Sequence, residues 1–66
     1  MTVSKVKQLH SRDQVTWNDP DQGLCSRTDY ILDIEVTPGF RNARQCPVFI
    51  RWIDGGELEC FASELS

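Results

Sequence analysis

This chain is poor in the residues that most often announce a chemistry. It has one histidine, one tyrosine and one methionine in 66 residues. No motif places a Ser or Cys beside His10, so a nucleophile–base pair is not encoded in recognisable form. The three cysteines, Cys25, Cys46 and Cys60, are odd in number and widely spaced, with no Cys-x-x-Cys among them. That excludes the disulfide framework of a secreted scaffold. Even with His10 counted as a fourth ligand, the short ligand spacing of structural zinc is missing. The cysteines read as reduced thiols used as small hydrophobes. No run approaches the roughly 20 apolar residues of a membrane span. Met1 to Lys7 lacks the apolar stretch of a signal peptide. The expected compartment is therefore the cytoplasm.

Positive charge is also scarce. Seven Lys and Arg stand against ten Asp and Glu, for a net charge of −3. A free-standing nucleic-acid binder usually shows a basic footprint, whereas the overall field here weakly repels phosphate. Catalysis has little support. Carboxylates such as Asp13, Asp33 and Glu59 are present, but a domain of this size offers little concave volume in which to desolvate one of them. The expectation is a non-enzyme with no cofactor and no metal.

What is present is strand signal. From Phe49 to Phe61 an apolar, β-branched and aromatic run meets Asp54-Gly55-Gly56 and then alternates through Glu57-Leu58-Glu59-Cys60, a β-hairpin pattern. Asp13 to Trp17 alternates and predicts a first strand, with Val15 and Trp17 on one face. Tyr30 to Val36 alternates over a longer stretch and predicts Tyr30, Leu32, Ile34 and Val36 inward, with Ile31 outward among acidic residues. Cys46 to Ile53 predicts a central strand, with Val48, Ile50 and Trp52 on one face and Phe49, Arg51 and Ile53 on the other. Ala62 to Leu65 predicts a 3₁₀ turn or a brief last strand, with Leu65 entering the core. Between these runs, Asn18 to Gly23 is dense in turn formers, and Leu24 and Cys25 are expected to pin that loop to the core. Thr37-Pro38-Gly39-Phe40 has the composition of a type II turn. Residues 1–12 form a polar lead segment, helical or extended, and the domain proper spans 13–66. Such short strands cannot leave one apolar face bare. The expected architecture is all-β: a five-stranded, strongly bent barrel with inward Val15, Leu32, Ile34, Val48, Ile50, Leu58 and Leu65.

The order of these pieces, from Leu9 and Asp13-Gln14-Val15-Thr16-Trp17 through Asp19-Pro20-Asp21-Gln22-Gly23 to Ile53-Asp54-Gly55-Gly56-Glu57 and Ser63-Glu64-Leu65, resembles SH3-like small barrels of the Tudor, Agenet and KOW type. It is also similar to short bacterial proteins with a Trp-Asn-Asp-Pro-Asp-x-Gly loop. The resemblance implies a binding module. One departure is Arg12, which stands where those domains place a glycine before Asp. Arginine disfavours positive φ, so a different opening turn is expected.

The candidate binding residues are Trp17, Asp19, Asp21, Phe40, Arg41 and Arg44. Trp17, with Phe49 or Trp52, is a candidate aromatic wall for a cation. Asp19 and Asp21 carry only a fragment of a calcium-loop pattern and suit an acidic wall facing a basic peptide. Phe40, Arg41 and Arg44 lie on a loop longer than a strand connection requires. Arg41, Arg44 and Arg51, with Lys5, Lys7 and Arg12, form the alternative, a local basic patch for nucleic acid. The favoured expectation is a non-catalytic module that binds a protein partner through its loops.

Overall fold

The Asp54-Gly55-Gly56 turn behaves as its composition demands. Gly55 takes a φ of 94°, conformational ground that glycine occupies without a Cβ clash. Trp52 N donates to Gly56 O at 2.7 Å, and Gly55 N donates to Trp52 O at 2.9 Å. The turn joins β3 (Pro47–Trp52) to β4 (Glu57–Phe61). The computed structural model describes residues 1–21 and 23–66, so the turn expected at Gln22 lies outside the described residues. In it, β1 (Gln14–Trp17) and β2 (Arg27–Val36) complete one antiparallel sheet of order β1-β2-β3-β4.

Among the described residues the sheet has four strands rather than the five expected, and it does not close into a barrel. The segment expected to supply the fifth is used differently. Ala62–Glu64 forms a 3₁₀ turn, and a single bridge, Trp17 to Leu65, returns the chain to β1. Thr16 and Ser66 exchange backbone hydrogen bonds of 2.9 and 2.8 Å. One such contact fixes Leu65 in the core, where it is 1% exposed, without building a ladder.

β2 is where alternation misleads. Ile31 pairs with Trp52 but Asp33 pairs with Arg51, so two steps along β2 match one step along β3. The extra residue is a β-bulge, and a one-residue insertion exchanges the two faces of a strand. Ile31 is therefore fully buried, while Leu32 and Tyr30, expected inward, are 41% and 50% exposed. Beyond the bulge the expected parity returns, and Ile34 and Val36 pack partly against the core.

The rest of the core follows the sequence pattern. Val15, Val48, Ile50 and Trp52 are buried, joined by Cys46, Cys60 and Ala62. The lead segment contributes as well. A short helix α1 (Val3–Val6), capped by the Thr2 hydroxyl accepting from Lys5 N at 3.2 Å, places Val3 and Val6 in the same core. The Cys60 thiol is pushed up to about 12 by burial and by the charge of Glu64, so it stays protonated and apolar in character. Leu24 and Cys25, expected to anchor their loop, are exposed. Asp19 holds that loop instead. Among the described residues no helix is long and apolar enough to cross a membrane.

Candidate functional site

The bulge that buries Ile31 also turns Tyr30 outward, beside the start of the β3–β4 turn. Ile53 N donates to Tyr30 O at 3.0 Å, so the two residues are cross-strand neighbours, with Ile53 45% exposed. Arg12 joins them from the turn before β1: its N–H donates to Ile31 O at 2.6 Å. Arg12, Tyr30 and Ile53 together line an open concavity of about 460 Å³. Among the described residues no carboxylate forms an ion pair with Arg12.

Arg12 has a φ of 75°, the only positive φ at a non-glycine position among the described residues. This corrects the expectation that an arginine forces a different opening turn: it takes the left-handed conformation itself. The turn His10–Asp13 enforces it. Asp13 N donates to His10 O at 3.1 Å, and the Asp13 carboxylate accepts from His10 N at 2.8 Å. Left-handed backbone costs a non-glycine residue about 1–2 kcal/mol, and such outliers concentrate at functional sites.

Apart from Trp17, the last residue of β1, the candidate binding residues fall into two loops that meet at the 3₁₀ turn. Asn18 N donates to Glu64 O at 2.7 Å, and Ser63 N donates to Ala43 O at 3.0 Å. The turn is thus lashed to both loops. Trp17 is half-buried, and its indole N–H donates to Glu64 Oε1 at 3.1 Å. Asp19 organises its loop: its carboxylate accepts from Asp21 N and Cys25 N, each at 2.9 Å. The hydrogen bond from the Asp21 amide is the chief reason the Asp19 carboxyl titrates below the ordinary carboxylate range. Asp21 is exposed, as are Phe40, Arg41 and Arg44. The second loop is shaped by Asn42, whose side chain accepts from Arg44 N at 2.9 Å.

Arg51 stands apart from Arg41 and Arg44 in its electrostatic setting. It pairs across the sheet with Asp33 and Glu57, 4.0 Å from the Glu57 carboxylate. Trp52 is occupied by the chain itself: the Arg27 guanidinium lies over its ring, 4.6 Å from the centroid. Arg27 also donates to Asp29 and Asp54, at 2.5 and 2.8 Å. Asp29 is more acidic than usual, chiefly because of that Arg27 bond. Asp54 is too, chiefly through the Gly56 amide and then Arg27. The clasp ties the start of β2 to the β3–β4 turn.

Sequence reasoning placed Tyr30 inside and so missed the Arg12–Tyr30–Ile53 surface. Its one available signal was an arginine at a position of glycine character. Compared with known proteins, the chain matches no family model, no curated protein and no solved structure.

Proposed function

We propose that this chain is a small non-catalytic protein-interaction module whose partner seats on Arg12, Tyr30 and Ile53. The observation that carries the reading is the conjunction of an exposed apolar pair with an arginine held in left-handed backbone beside it. Tyr and Arg are the side chains most often found at the energetic centre of protein interfaces. A partner that fits offers an apolar side chain to Tyr30 and Ile53 and a carboxylate to Arg12. The loops carrying Asp21, Phe40, Arg41 and Arg44 border the 3₁₀ turn and are proposed as accessory contacts. The element order, similar to that of SH3-like domains, agrees with a binding role.

The nucleic-acid reading keeps one favourable observation, the exposed Arg41 and Arg44 on an anchored loop. Arg51, which it also needs, is set among carboxylates.

Photo-crosslinking in the native host separates the two readings. A photoreactive residue in place of Tyr30 or Ile53 is expected to trap one protein partner, and the adduct is expected to disappear with Arg12→Glu. Adducts to RNA or DNA formed only from positions 41 and 44 would replace this proposal with the alternative.

A further inference from the structure

The sheet has an open edge that the proposed binding surface does not use. We propose that the outer edge of β4 adds an extended strand from a partner protein that carries Lys or Arg at every second position. The backbone parity comes first. Trp52 N bonds to Gly56 O on the β4 side, whereas Pro47 O accepts from Thr37 N on the β2 side, at 3.1 Å. Antiparallel ladders alternate, so Leu58 and Cys60 exchange bonds with β3, and Glu57 and Glu59 point their N–H and C=O groups away from it. Among the described residues β4 pairs only with β3, and no other backbone group bonds to Glu57 or Glu59. The Phe61 amide is already satisfied by Glu64 Oε2 at 2.7 Å, which closes the free ladder at that end. The footprint is thus Glu57 to Phe61.

Side-chain chemistry then selects the occupant. Glu57 and Glu59 project on the outer face of the sheet, opposite Arg51 and Phe49, which in turn pair with Asp33 and Glu35. Four carboxylates on this face surround one arginine. Residues of an added strand directly opposite Glu57 and Glu59 would lie at about 5 Å between Cβ atoms, where like charges destabilise and opposite charges stabilise. A second copy adding its own β4 would set glutamate against glutamate. Nucleic acid is repelled by the same face. In an antiparallel addition, a basic residue, one spacer and a second basic residue satisfy Glu59 and then Glu57, and an apolar residue two positions before the first basic residue meets Phe61, 45% exposed. There, Pro47, Glu59, Cys60, Phe61 and Glu64 line a concavity of about 210 Å³. Charged edges also serve merely to prevent aggregation, and the test distinguishes that role from recognition.

The test titrates the isotopically labelled full chain with a capped peptide that begins with Leu and continues in alternating Thr and Lys, and with the same peptide carrying Glu for Lys. The lysine peptide is expected to shift the amides of Glu57, Glu59 and Phe61. It should also slow hydrogen exchange at Glu57 and Glu59 by about tenfold or more as the ladder forms, with binding that weakens as salt is raised. Glu57→Lys combined with Glu59→Lys is expected to transfer the preference to the glutamate peptide. Absence of binding by the lysine peptide would overturn the proposal and leave the charges as a guard. So would shifts confined to Arg12, Tyr30 and Ile53, dimerisation of the chain through β4, or a charge-swapped variant that binds both peptides equally. Because the surface read by crosslinking at Tyr30 is different, either proposal can fail without the other.

Discussion

Trp52→Ala is expected to lower the unfolding free energy by about 3–5 kcal/mol, the usual range for a buried aromatic truncated to alanine, measured by denaturant unfolding. Trp52 is 2% exposed, pairs with Ile31 across the bulge, and forms the floor under Arg27. Its loss empties the core and removes the surface on which the Arg27 guanidinium is held between Asp29 and Asp54. In a domain this small that is a large share of total stability. Trp52→Phe keeps most of the apolar contact and is expected to lose less. The clasp also leaves a pH signature. Asp29 and Asp54 are more acidic folded than unfolded, so their contribution is present above the ordinary value of 3.8. It is lost as pH falls through the depressed folded values. Arg27→Ala is expected to flatten that acid limb. A loss below about 1 kcal/mol for Trp52→Ala would place the ring outside the core.

The second large effect lies at the bulge. Ile31→Ala is expected to cost about 2–5 kcal/mol, and Leu32→Ala to stay within about 0.5 kcal/mol. Strict alternation along β2 demands the reverse order. The two adjacent residues are of equal size and similar hydrophobicity, so the comparison isolates the face each occupies. A larger loss at Leu32 than at Ile31 would mean that β2 runs without the bulge between Ile31 and Asp33.

That contrast shows where the sequence was legible. The β3–β4 hairpin was readable because three independent signals agree: the Asp54-Gly55-Gly56 turn, the inward Val48, Ile50 and Trp52, and the alternation of Glu57 to Cys60. The 3₁₀ turn and Leu65 were readable because a short polar run ends on one apolar residue. The bulge was not, since nothing in Tyr30-Ile31-Leu32-Asp33 marks an unpaired residue, and Ile31 and Leu32 satisfy either parity. With the bulge hidden, Tyr30 was placed inside and the surface it makes with Ile53 stayed out of view. The closed barrel failed for a related reason: local pattern shows which residues form strands, but whether Leu65 makes one bridge or a ladder depends on how far the sheet curls. The Arg27 clasp joins residues up to 27 positions apart, a separation at which no spacing rule operates. The conformation of Arg12 was not legible, because the rule that arginine avoids positive φ is a preference that two hydrogen bonds within the His10–Asp13 turn override.

Arg12 therefore supplies the most direct test. Glycine accepts a φ of 75° without strain, so Arg12→Gly is expected to stabilise the fold by about 0.5–1 kcal/mol after the added freedom of the unfolded chain is counted. If the arginine is held there to receive a partner's carboxylate, the same variant binds the partner trapped through Tyr30 more weakly. The deciding measurement is the affinity of Arg12→Gly for that partner beside the wild-type chain. The expected result is a loss of about tenfold or more in affinity in a protein that has become more stable. Unchanged affinity in the stabilised variant would contradict the account, because Arg12 would then take no part in recognition.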